Sequence, residues 1–188
     1  AMHATADICL FVDGDFAIPA KKLIPFLHAI EDGNDVALND LQCLLDMFHP
    51  ADPISMGKYF VNLVAKRPDL WNNSLTAVPH AMHKKVIEKI GYDSLIIPPL
   101  AQMKAILEEC SITAVEFVDV IKTNRVRPEQ HGFVNGRIPA FDRIFGDQLE
   151  AIAYLLQHTN GRGSFTDGER DRDIILQLRR EEENIDEC

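Results

Sequence analysis

Basic residues are scarce in this chain: 19 Lys and Arg stand against 29 Asp and Glu, which leaves a formal charge of -10. That deficit argues against a nucleic-acid-binding surface, because phosphate contacts rest on an excess of Lys and Arg. An anionic ligand would need a metal or a local group of basic residues. Cysteine is sparse and scattered: Cys9, Cys43, Cys110 and Cys188 form no CxxC and no zinc-like pairing with His, so neither a disulfide framework nor a structural metal site is indicated. Free thiols in a reducing cytosol fit that usage. Long hydrophobic runs are missing as well. Nothing approaches the ~20 apolar residues that span a bilayer, and the opening residues lack the basic region, apolar core and cleavage site of a signal peptide. The expectation is a cytoplasmic protein without a transmembrane segment.

What is present is ordinary globular composition. Of the 188 residues, 46% are apolar and 26% charged, and the ten Gly and ten Pro are dispersed. A chain of this length can bury roughly 70% of its unfolded surface, enough for a substantial core.

The apolar pattern predicts an α/β protein. Residues 8-12 (ICLFV) form a short β-branched and aromatic run ended by Asp and Gly, the mark of a strand buried on both faces. Leu23, Phe26, Leu27 and Ile30 fall at helical spacing across 20-31, and residues 35-38 form another short strand. Helices are predicted over 40-48, 55-66, 80-90 and from Pro98 through Cys110, with an extended stretch at 74-78 and a strand at 112-120. Two further helices, 140-158 and 169-185, close the chain. Strands that read as apolar runs between helices are the grammar of a sheet covered on both faces. If the first strand is central, one of its hydrogen-bonding edges has no partner in this chain.

The chemistry-bearing feature is Asp13-Gly14-Asp15. Two carboxylates two residues apart project to one side of an extended chain, and Gly14 lets a ligand approach the backbone closely. At the C-terminal end of a strand they lie where open α/β sheets bind ligands. Like charges so near each other repel, and oxygen-only donors suit Mg²⁺ or Mn²⁺. A polar turn is the competing reading.

The order strand-DGDF, Ile18-Pro19, an amphipathic helix, "EDGNDVALND" and then "AVPHAMHKKVIEKIGYDSLIIPPLAQMKAILEECSITAVEFVDV" resembles the C-terminal portion of a family 2 glycosyltransferase with a GT-A fold. The likeness covers roughly residues 4-125, and "KKVIEKIGYDS" is its most distinctive part besides DGD. It implies a partial GT-A (Rossmann-like) mixed sheet flanked by helices over 1-138, with a helical C-terminal extension over 139-188. It also implies a nucleotide-sugar donor whose diphosphate is bridged by a divalent metal to Asp13 and Asp15, with His131 as a third ligand from a late loop. Arg125, Arg127 and Arg137 are the basic residues suited to the diphosphate.

Two departures from the family pattern matter. The N-terminal strands that hold the nucleotide base are not in this chain. Where inverting members carry the Glu-Asp pair that holds the catalytic base, this sequence reads Ile97-Pro98-Pro99-Leu100. Asp40 and Asp93 are the candidates for that base, each with a cap or turn role as the alternative. His80 and His83 read as polar helix residues, and Trp71 as a partly buried packing residue. The expectation is a glycosyltransferase, or a catalytically incomplete remnant acting as a binding or assembly module. Either would pair as a homodimer, or with another chain, through the exposed sheet edge.

Overall fold

A computed structural model describes residues 1-47, 52-120 and 138-186. The protein is mixed α/β. A four-stranded sheet has the order β1-β3-β2-β4, with β1 Ile8–Phe11, β2 Val36–Asn39, β3 His80–His83 and β4 Ile112–Glu116. β3 runs antiparallel to both β1 and β2, whereas β2 and β4 are parallel. The C-terminal ends of β1, β2 and β4 therefore share one rim of the sheet with the N-terminal end of β3.

Strand alternation divides the core into two layers. Val36, Leu38, Cys9 and Met82 point to one face, where α4 (Lys84–Ile90) and α5 (Pro98–Leu107) cover them with Val86, Ile87, Ala101 and Ala105. Ala37 and Ala81 point to the other face and meet Phe26, Ala29 and Ile30 of α1 (Ala20–Glu31). Small strand residues on the α1 face let that helix lie close to the sheet, with Phe26 fully buried. A side chain of that size contributes about 1.5–3 kcal/mol by leaving water.

The short α2 (Cys43–Met47) and the longer α3 (Pro53–Val64) follow β2. Asp52 starts α3 by accepting from the amides of Ile54 and Ser55, and Pro53 occupies the first turn, where no amide is needed. α6 (Pro139–His158) packs on α3 and α5 through Ala151, Leu155, Val61 and Met103. Gly57 permits that approach, since a Cβ there would lie 2.2 Å from Gln148 Oε1. α7 (Arg172–Asp186) leaves Ile174, Ile175 and Leu178 exposed.

Three local expectations are corrected. The segment 80-90 is not one helix: His80–His83 is a strand and the helix begins at Lys84. β1 and β2 flank His-Ala-Met-His on both sides, and the two ladders outweigh the helical pattern that continues downstream. His83 is the N-cap of α4, its Nδ1 accepting from the amide of Lys85 at 3.2 Å. β1 does pack on both faces, Cys9 and Phe11 against one core and Ile8 and Leu10 against the other, although it lies at the edge of the sheet and Val12, beyond its end, is 49% exposed. Last, the strand at 112-120 stops at Glu116, and the helix expected from 40 starts at Cys43.

Candidate functional site

The rim formed by the ends of β1, β2 and β4 gathers most of the acidic residues singled out above. Asp13, Gly14 and Asp15 follow β1 in an exposed loop. An added Cβ at Gly14 would meet nothing within 4 Å, so packing does not demand glycine there and the backbone is open to a ligand. Beside this loop lies an apolar cleft of about 320 Å³, walled by Phe16, Ile18, Pro19, Phe117 and Val118. Lys22, on the first turn of α1, forms an ion pair with Glu116 at the end of β4 and donates to the carbonyl of Phe117 at 3.3 Å. That pair ties α1 to β4 at the mouth of the cleft.

Asp40 follows β2 on the same rim and is half-buried. Its Oδ1 accepts from the amide of Gln42 at 3.2 Å and from Asn73 Nδ2 at 3.4 Å, as a turn residue does. It lines a second cleft of about 300 Å³ with Gln42, Cys43, Asp46 and Phe117, and Phe117 is shared with the first. Asp93 is exposed in the short 3₁₀ turn Tyr92–Ile96 between α4 and α5. Asp93 is not among the residues lining the clefts beside the acidic loop and Asp40. His131, Arg125, Arg127 and Arg137 lie outside the described residues. Among the described residues, no group of three or more His, Cys, Asp or Glu converges as a metal cage. Asp13 and Asp15 are exposed carboxylates two residues apart in that loop. That chemistry fits Mg²⁺ or Mn²⁺, which keep several waters and need few protein ligands.

The connection 71-79 contrasts with the acidic loop. Asn72, Asn73, Ser74, Leu75 and Ala77 are buried, and side-chain amides hold them from three sides. Asn62 Nδ2 donates to the carbonyls of Trp71 (2.7 Å) and Asn73 (2.9 Å), while its Oδ1 accepts from Gln102 Nε2 (2.8 Å). Gln102 Oε1 in turn accepts from the amide of Leu75 at 2.8 Å. Asn73 Oδ1 takes the amide of Leu41, and Asn72 Nδ2 donates to the carbonyl of the same residue. At the start of that connection Trp71 has φ +48°, costly for a bulky side chain, and its ring stacks on Tyr59 at 5.7 Å. Trp71 is 39% exposed.

This anchored segment delivers His80. The ring is 7% exposed, stacks on Phe11 at 4.8 Å, and faces the carbonyl of Ala77 through Nδ1 at 2.9 Å. Burial pulls its pKa down to about 4, and the Ala77 carbonyl offsets this only in part, so the imidazole is neutral near pH 7. Sequence reasoning weighs His80 and His83 as a metal-spaced pair on an expected helix and sets both aside as polar helix residues, because no third ligand lies nearby in the sequence. The available clue was Pro79-His80-Ala81-Met82, whose alternation also fits a strand.

No protein-family model matches this chain, nor does any curated protein or solved structure. The functional reading rests on the residues and their geometry. Among the described residues, no helix is long and apolar enough to cross a membrane.

Proposed function

We propose that this protein is a metal-dependent glycosyltransferase of the family 2, GT-A type, which transfers a sugar from a nucleotide-sugar donor to an acceptor. The observation that carries the reading is the Asp13-Gly14-Asp15 loop, open to solvent at the carboxyl end of β1 on a mixed sheet covered by helices. Asp13 and Asp15 would hold Mg²⁺ or Mn²⁺ and, through it, the donor diphosphate. Bound there, the cation would neutralise the leaving diphosphate as a Lewis acid. The neighbouring cleft around Phe16, Ile18 and Phe117 offers an apolar wall for the uncharged part of a ligand. Arg125, Arg127 and Arg137 remain the proposed phosphate partners, His131 the proposed third ligand, and Asp40 and Asp93 the candidate bases.

A second reading has its own support. β1 is an edge strand whose outer side meets no strand among the described residues, and Ile97-Pro98-Pro99 offers no carboxylate at the head of α5. A chain of this kind could be an incomplete GT-A module that binds or assembles. Under either reading, the free edge of β1 is proposed to pair with a second copy or another chain. The free thiols of Cys9, Cys43 and Cys110 support a reducing, cytoplasmic setting.

Calorimetric titration with Mn²⁺, with and without UDP, on the wild type and on Asp15→Ala decides between the readings. Metal-dependent UDP binding that disappears in the variant is the expected result for the enzyme. No UDP binding by the wild type would overturn it in favour of the incomplete module.

A further inference from the structure

His80 lines a cleft of about 80 Å³ with Phe11, Leu75, Leu95 and Pro98, and all four of these companions are apolar. Its Nδ1 is engaged by the Ala77 carbonyl, which requires that nitrogen to carry the proton and leaves the Nε2 lone pair as the acceptor. Nε2 has no partner among the described residues, and it is not among the unpaired polar atoms sealed from solvent. Nε2 therefore reaches solvent, where a water or a ligand hydroxyl can donate to it. The cleft is therefore an apolar slot with one acceptor in its wall.

Its location links it to the acidic loop. Phe11 is the β-ladder partner of His80, and Asp13 is two residues further along the chain. Two residues span at most ~7 Å and antiparallel partners are about 5 Å apart, so the Cα atoms of His80 and Asp13 lie within about 12 Å. Pro98, on the opposite wall, stands at the head of α5, where the resemblance would have placed a carboxylate.

We propose that His80 Nε2 is the hydrogen-bond acceptor for a hydroxyl of the sugar acceptor, presented on a CH₂OH arm that enters this slot. The proposal rests on the glycosyltransferase reading for the word acceptor, but not for the binding itself. The volume selects the arm: about 80 Å³ admits a few waters or a hydroxymethyl group, whereas whole small-molecule ligands occupy pockets of roughly 300–1,000 Å³. A hydroxyl satisfies Nε2, and its CH₂ meets the rings of Phe11 and Pro98 and the side chains of Leu75 and Leu95. A carboxylate has no proton to give, and nothing in the slot would balance its charge. The low basicity of the ring favours orienting a hydroxyl over removing its proton, so His80 is a binding residue that sets which oxygen is presented.

The test uses ¹⁵N-labelled full chain and the long-range ¹H–¹⁵N signals of the His80 ring, assigned by their loss in His80→Phe. The probes are the methyl α-glycosides of glucose, mannose and galactose, each against its 6-deoxy counterpart, with UDP and Mn²⁺ present. At least one glycoside is expected to shift Nε2 toward the hydrogen-bonded position while Nδ1 stays, and its 6-deoxy form is expected to bind about tenfold more weakly. His80→Phe, checked by thermal melting to be folded, is expected to lose that glycoside and keep the affinity of the wild type for UDP. An unmoved Nε2 with all three sugars, or equal shifts by the hydroxylated and deoxy forms, overturns the proposal. A shift by sugar in a protein that binds no UDP would keep the slot and remove the transferase reading. UDP binding with a silent ring would do the reverse.

Discussion

Two loops lie near the same rim of the sheet and are built in opposite ways. Residues 71-79 are threaded through buried amides from α3, α5 and the end of β2, and they deliver His80 to a fixed place. Residues 12-17 carry two carboxylates and are largely exposed. The difference shows which part of the rim is held by buried side-chain amides: the anchored loop fixes His80, whereas the acidic loop is exposed.

The contrast makes its strongest prediction at Asn62. Truncation to Ala removes three hydrogen bonds at once, to the Trp71 and Asn73 carbonyls and from Gln102 Nε2, and leaves the 3.3 Å bond from Gln102 Nε2 to the Asn73 carbonyl. The expected cost is about 3 kcal/mol, read from urea unfolding. A loss below about 1 kcal/mol would mean that the loop is held by packing alone.

The next effect is a pH dependence. The folded-state pKa of His80 is depressed from 6.5 to about 4, so the unfolded chain takes up the proton first as the pH falls. The stability linked to this ring is present above pH 6.5 and declines as the pH falls to about 4. The decline amounts to roughly 3 kcal/mol, and there is no further loss from this group below that. His80→Phe should flatten that part of the urea-midpoint curve. An unchanged curve would place the acid sensitivity elsewhere.

Trp71 sharpens the comparison at the boundary of the anchored loop. Trp71→Ala keeps the unfavourable φ of +48° and gives up the stacking on Tyr59, for an expected loss of about 1–2 kcal/mol. Trp71→Gly recovers backbone freedom and should melt above the Ala variant. The smallest effect on folding belongs to the acidic loop: Asp15→Ala should alter stability by less than about 0.5 kcal/mol, while the proposed UDP binding with Mn²⁺ is lost. A large destabilisation there would show that the loop is structural.

Much of the fold was legible in the residues. α1 occupies 20-31 as its apolar spacing predicts, α5 starts at the Pro98-Pro99 pair, and Asp13 and Asp15 follow an extended strand. Less legible were β3, whose four residues lack a long period, and the edge position of β1. An apolar run such as ICLF states that a strand is buried, but not how many neighbours it has. For the site, Asp40 was visible as a residue after a strand, but its bonds to Gln42 and Asn73 were not. His80 was set aside as a helix residue because its worth depends on Phe11 and Pro98, 69 residues before it and 18 after it.

By itself, the sequence determined the α/β alternation, the α1 and α5 helices and the acidic pair after the first strand, because helix and strand periods, proline starts and turn residues act within a few positions. Tertiary structure alone decided the strand order, the burial of His80 and the amide scaffold beneath it. Those depend on which distant segments exclude water from one another, and no local spacing encodes that choice.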